Sequence, residues 1–185
     1  ADLGLRVHAP LELHQRALFI RRFDRQVRQG AVTRLAQESI ATLTGMPGFE
    51  AVPDHDTVCL ELMRHCSHPQ QEVLEYIKRD IANLALGNKD NHARNTAVQR
   101  GFDGRIALTP LYDFAPMYLH PDGIARRIRW RDEQGGRPDW GRVLDSVCAL
   151  AAQLPRKRRG TQSEPLQRDP LRRLHRGAPA RNRAR

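Results

Sequence analysis

The chain has 185 residues, with 31 Lys and Arg against 21 Asp and Glu and a formal net charge of +10. That length allows one medium-sized domain with its own core, and the charge alone does not make the chain a nucleic-acid binder. Residues 155–185 hold 11 basic and 2 acidic groups, net +9, so residues 1–154 keep 20 basic against 19 acidic, net +1. The body is electrostatically balanced and the basicity belongs to the tail.

Three cysteines, Cys59, Cys66 and Cys148, make an odd count without a CxxC pair, which fits a reducing, cytoplasmic compartment. His65, Cys66 and His68 lie close together, but no second ligand pair follows at zinc-type spacing, so no zinc centre is expected. No apolar run approaches about 18 residues and no signal-peptide pattern opens the chain. The expectation is a soluble, cytoplasmic protein with no membrane contact.

Residues 17–26, ALFIRRFDRQ, are expected to form a strand whose apolar segment Leu18-Phe19-Ile20 runs into alternating charge. Residues 32–45 place Leu35, Ile40 and Leu43 in a helical pattern that Gly45 and Pro47 would stop. A second short helix is predicted over 56–66. The strongest periodicity follows: Val73, Ile77, Ile81 and Leu84 form one apolar stripe. Ser67 or His68 would cap that helix, Pro69 would sit in its first turn and Gly87 would end it.

Immediately beyond that helix lies GNKDNHARN, residues 87–95. After Asn95 the period changes: TAVQR and RIALT flank GFDG, whose Asp103-Gly104 pair signals a hairpin turn. Residues 110–116, PLYDFAP, leave the second strand. A last amphipathic helix fits 139–154, with Asp139 as cap and Val143, Val147, Leu150 and Leu154 on its inner face. From Pro155 apolar periodicity disappears under Arg, Pro, Gly and Ala, a composition that cannot offset its ordering entropy. The tail is therefore expected to be disordered, with a bias resembling misread GC-rich coding sequence; an arm attracting nucleic acid through charge alone is the alternative.

The chemistry concentrates in Asp90-x-His92-x-x-Asn95 and in Tyr112-Asp113-Phe114. Phosphoryl transfer from ATP needs a carboxylate to orient the attacking hydroxyl and oxygen ligands to hold magnesium against the phosphates. An Asp and an Asn five apart on one loop can divide those tasks, with a second Asp supplying charge to the metal. The bland alternative is a capped, hydrogen-bonded turn after a helix. The spacing equals the D-x-x-x-x-N of kinase catalytic loops, and the added histidine is similar to the loop of aminoglycoside and choline kinases.

Taken in order, RRFDR, LALGNKDNHARN and LTPLYDFAP resemble the C-terminal lobe of HipA-type serine/threonine kinases, the toxins of HipBA toxin–antitoxin modules. The resemblance runs from about Leu18 to Pro116 and more weakly to Leu154. It implies an α+β, mainly helical kinase-like large lobe in which a short β-hairpin carries the metal site. On that resemblance Asp90 is the catalytic base, and Asn95 and Asp113 are the magnesium ligands. Arg21, Arg22 and Phe23 match the hinge that meets adenine, with Arg21 where the family carries an acidic residue. Arg94 falls where the family often has Lys near the phosphates, and His92 and Tyr112 fall in nucleotide-contacting segments. The resemblance implies ATP and magnesium, a protein-serine substrate of the aminoacyl-tRNA synthetase kind, and a HipB-like DNA-binding antitoxin as partner.

It also implies a division of the chain: residues 1–30 as the hinge region, 31–154 as the lobe and 155–185 as the tail. Before Gly87 the glycines are Gly4, Gly30, Gly45 and Gly48, with no G-x-G cluster, and no lysine precedes Lys78. The glycine-rich loop and strand lysine that clamp ATP phosphates are thus missing from this chain, which is expected to be a truncated kinase without transfer activity of its own. The competing expectation is a non-catalytic lobe fragment that binds an antitoxin or partner subunit.

Overall fold

The structure, a computed structural model, describes residues 3–46, 48, 52–115, 117 and 125–154; the tail from Pro155, and with it the reading of that tail, lies outside them. In chain order the elements are β1 (Glu12–His14), β2 (Ala17–Phe19), β3 (Arg25–Arg28), β4 (Ala31–Arg34), β5 (Ala36–Ser39) and α1 (Ile40–Leu43). They continue with α2 (His55–His65), α3 (Pro69–Leu86), β6 (Ala97–Arg100), β7 (Ile106–Leu108), β8 (Glu133–Gln134), β9 (Arg137–Pro138) and α4 (Trp140–Gln153). Helix and sheet are thus mixed, with more strand than a mainly helical lobe would carry.

The core forms where α2, α3 and α4 meet the antiparallel sheet β5-β6-β7. Val58 and Leu62 of α2, Val73 and Ile77 of α3, and Val143 and Val147 of α4 are each essentially inaccessible to water. Burial of such side chains stabilises by about 1.5–3 kcal/mol each. The helix ends follow their sequence signals. Asp54 caps α2 by accepting from Thr57 N at 2.6 Å, and Asp139 caps α4 by accepting from Arg142 N at 3.2 Å. His68 takes the N-cap position of α3 ahead of Pro69. Ser67 instead exchanges bonds with Ile106, through its backbone N–H and its hydroxyl, tying α3 to β7.

The predicted helix over 32–45 is corrected. Only Ile40–Leu43 is helical, capped by Ser39; residues 31–34 pair with β3, and residues 36–39 pair with β6 in the register Ala36↔Arg100 to Ser39↔Ala97. Helical periodicity is a weak preference, and strand pairing with a segment sixty residues away overrides it. The predicted strand over 17–26 is also corrected: β2 and β3 flank an irregular stretch at 20–24. The hairpin β3–β4 turns through Gln29 and Gly30, both at positive φ, so the boundary drawn after residue 30 falls in a hairpin turn. Hairpins β1–β2 and β3–β4 bring no side chains to the core: Leu13 is 70% and Val27 73% exposed, and Phe19 and Val32 also face solvent. No helix among the described residues is long and apolar enough to cross a membrane.

Candidate functional site

Gly87, in the left-handed region at φ 71°, ends α3 and turns the chain into the polar loop. Asn88 is buried; its amide donates to Asn83 Oδ1 at 2.9 Å, and its own Oδ1 accepts from Asp90 N at 3.2 Å. The far side of the loop is fixed by the start of α1: Ala41 N donates to the Ala93 carbonyl and Ile40 N to the Thr96 carbonyl. The loop therefore hangs between the C-terminal end of α3 and the short helix α1, on rigid supports.

Within it, Asn95 Nδ2 donates to the Asp90 carbonyl at 2.8 Å, and Arg94 N donates to His92 Nδ1 at 3.2 Å. His92 Nε2 lies 3.9 Å from Asp90 Oδ1, and both side chains are partly open to solvent. After the β6–β7 hairpin the chain returns to the same place. Asp113 occupies the left-handed region at φ 52°, a conformation uncommon for a non-glycine residue and costing of order 1–3 kcal/mol where it is strained. The Tyr112 hydroxyl donates to the Arg94 carbonyl at 2.7 Å. Burial, with the Asp113 carboxylate beside it, pushes the Tyr112 phenol up to about 12.

One cleft collects Asn95, Tyr112, Asp113 and Phe114 with Asp80 and Asn91. Asp90, His92 and Arg94 are not among its lining residues. Phe23 packs its ring against Tyr112, with centroids 5.7 Å apart, which brings residues 21–23 beside the cleft. Arg21 and Arg22 remain in solvent, and Arg22 is engaged with Asp24 through Nε at 2.7 Å. Among the described residues no three His, Cys, Asp or Glu side chains cluster as a metal site. A cation here would take the Asp113 carboxylate and the Asn95 amide oxygen together with substrate oxygens and water. That donor set is hard, sparse in protein ligands and suited to magnesium.

The polar face of α3 is marked by none of the sequence motifs. Glu72, Glu75, Arg79, Asp80 and Asn83 are all buried and recur at helical spacing beside the apolar stripe. Asp80 Oδ2 accepts from Trp130 Nε1 at 2.7 Å and from Arg126 Nη2, while its Oδ1 accepts from Asn91 Nδ2 at 3.3 Å. Arg126 also pairs with Glu133 and reaches His55 Nε2 at 2.9 Å. His55 stacks on Trp130 at 4.7 Å and meets the Tyr76 hydroxyl through Nδ1 at 2.8 Å. The available signal was that same periodicity, read for charge instead of hydrophobicity.

The chain is thus a mixed helix-and-sheet lobe that hangs a D-x-H-x-x-N loop beside a returning Tyr-Asp-Phe segment. A model of the HipA-like C-terminal domain family matches residues 1–164, and the chain belongs to that family. Over 112 residues, 57% of this chain and 26% of the relative, it is 32% identical to a Sinorhizobium fredii protein named "Putative kinase Y4mE". The fold is similar to a chain in the complex of HipA, HipB and operator DNA from the Shewanella oneidensis MR-1 toxin–antitoxin system, with a TM-score of 0.58 at 16% identity. That match covers 98% of this chain and 48% of the other. The chain thus spans about half of the solved relative and about a quarter of the curated one.

Proposed function

We propose that this chain carries the catalytic and metal-binding half of a HipA-like protein serine/threonine kinase that uses ATP and magnesium. The observation that carries the reading is that Asn95 and Asp113, eighteen residues apart, line one cleft whose two walls are joined by the Tyr112–Arg94 hydrogen bond. Asp90 takes the proton of the attacking serine hydroxyl as the new O–P bond forms and the bond to the ADP leaving oxygen breaks. Asn95 and Asp113 would hold magnesium, which when bound supplies charge stabilisation to the phosphates. His92 and Arg94 lie on the phosphate side of the loop, and Arg21, Arg22 and Phe23 offer backbone groups to adenine beside Tyr112.

The name of the curated relative, a kinase, supports this reading. The HipB in the solved complex supports a HipB-like antitoxin as partner, and a protein substrate of the aminoacyl-tRNA synthetase kind follows from the family resemblance. A non-catalytic fragment that docks an antitoxin or partner subunit is the second reading. It is favoured by the solvent-facing Leu13, Phe19, Val27 and Val32. Titration calorimetry of the purified chain with ATP separates the two. Magnesium-dependent binding that Asp113→Asn weakens at least tenfold supports the kinase reading; no binding with or without magnesium overturns it in favour of the second.

A further inference from the structure

The segment that presents Asp113 is short of ladder hydrogen bonds where it leaves the sheet. Thr109 N makes the last bond, to the Ala97 carbonyl at 2.9 Å, and Pro110 has no N–H to give. The backbone of 108–111 is held instead by three charged side chains and one strap of backbone, with Glu75 behind them. Glu72 Oε2 accepts from Leu108 N at 2.8 Å, Arg6 Nη1 donates to the Leu108 carbonyl at 2.8 Å, and Arg79 Nη2 donates to the Thr109 carbonyl at 2.7 Å. Leu111 N donates to the Arg6 carbonyl at 2.8 Å, inside a parallel bridge between Val7 and Leu111.

The same groups also hold one another. Arg6 Nη2 bonds both oxygens of Glu72, at 3.0 and 3.1 Å. Glu75 Oε1 accepts from Arg6 N and from Arg79 Nε, both at 3.0 Å. The quartet carries two positive and two negative charges around a backbone that ends two residues later at Asp113. Arg6 is the outermost member, with a side chain 39% exposed against 3–8% for the other three, and it is the one that grips the segment with side chain and main chain together.

We propose that Arg6 is a positioning residue for Asp113: it fixes the register and direction of residues 108–111 and so sets where the Asp113 carboxylate stands relative to Asn95. The inference rests on reading Asp113 as a metal ligand. Loss of Arg6 leaves the buried Glu72 charge short of its cation and frees the strap that holds Leu111, so the segment relaxes without any metal-binding group being removed.

The test uses the whole chain and manganese as an EPR-visible probe in the presence of ATP, with hydrogen exchange at Leu111 as a second readout. Variants are Arg6→Gln, Arg6→Lys, Asp113→Asn and Arg64→Gln, the last breaking only the surface pair with Glu61. Outer partners that orient metal ligands typically change affinity by about 10–100-fold, so Arg6→Gln is expected to weaken manganese about tenfold and to speed exchange at Leu111. Arg6→Lys should recover part of both, and Arg64→Gln should change neither. Wild-type manganese affinity in Arg6→Gln, alongside weakened binding in Asp113→Asn, overturns the positioning role alone. Unchanged affinity in Asp113→Asn overturns the metal-ligand reading and the positioning role with it. Unaltered exchange at Leu111 in Arg6→Gln overturns the strap on structural grounds, whatever the metal does.

Discussion

The Tyr112 hydroxyl donates to the Arg94 carbonyl at 2.7 Å, joining the segment that carries Asp113 to the loop that carries Asp90 and Asn95. That hydrogen bond reaches from one half of the proposed site to the other. Tyr112→Phe keeps the ring and its packing on Phe23 while removing that bond. The expected cost is about 1 kcal/mol of stability, with a several-fold loss of magnesium-dependent ATP binding. Because the folded phenol is pushed up to about 12 from 10, the native state holds its proton where the unfolded chain releases it. This contribution to stability is complete below pH 10 and is lost as pH rises toward 12. Urea unfolding at pH 8 and pH 11 should therefore show a steeper decline in the wild type than in Tyr112→Phe; equal slopes would contradict the assignment.

Asp80 is the hub of the buried network beneath the cleft, bonded to Trp130, Arg126 and Asn91. Removing one partner from a buried ion pair leaves a charge without compensation, at a cost of about 3–5 kcal/mol. Asp80→Ala is expected to destabilise by that order in chemical denaturation. Arg126 also neutralises the buried Glu133, so Arg126→Met with Asp80→Leu and Glu133→Gln should lose less than Asp80→Ala alone, since no orphaned charge remains. A triple variant worse than the single one would mean that the network contributes net stability of its own.

Helix α3 and the β6–β7 hairpin were legible because their signals are local: an apolar stripe with Pro69 and Gly87 at its ends, and the Asp103-Gly104 pair within the turn between β6 and β7. The segment 31–39 was not, because residues 31–34 pair back on β3 across the Gln29-Gly30 turn and residues 36–39 pair with the distant β6, so strand partners outweigh the helical spacing of its apolar residues. The Leu18-Phe19-Ile20 run gives strand only over Ala17–Phe19, and the described fold leaves its side chains in solvent. At the site, the motif spacing led to the cleft that Asn95 and Asp113 share. Arg6, Glu72, Arg79 and Asp80 went unnoticed because isolated charges usually mark a solvated face, and only tertiary placement turns them inward.

His55 supplies a pH-dependence of opposite sign to that of Tyr112. Arg126 can only donate, so His55 Nε2 accepts and the ring proton sits on Nδ1 facing Tyr76. Burial lowers the His55 imidazole below its usual 6.5, outweighing the attraction of Asp80. The folded state therefore keeps His55 neutral where the unfolded chain takes up a proton. The associated stability is present above pH 6.5 and is lost as pH falls below it, by at most about 1.4 kcal/mol per pH unit. Unfolding free energies between pH 7.5 and 5.5 should decline in the wild type and flatten in His55→Gln. A parallel decline in the variant would assign the effect to other groups.

Catalysis of phosphoryl transfer is nearly all positioning and electrostatic stabilisation, and the proposed base and metal ligands supply only one side of it. Neither a glycine-rich loop nor a lysine ahead of Lys78 is present in these 185 residues to hold the phosphates from the other side. Loss of a single preorganised contact to developing charge typically slows reaction by about 10²–10³, and here several are missing together. The 185-residue chain alone is expected to bind ATP weakly in a magnesium-dependent way and to transfer no measurable phosphate to protein serine. Radiolabelled-phosphate transfer is the assay, with Asp90→Ala as the control, run with and without a separate chain that supplies a glycine-rich loop and strand lysine. Binding without transfer, with transfer appearing only when that chain is added and vanishing in Asp90→Ala, is the expected result. Robust transfer by the chain alone that Asp90→Ala abolishes would keep the base and refute the need for the missing clamp. Transfer that survives Asp90→Ala would remove Asp90 from the mechanism.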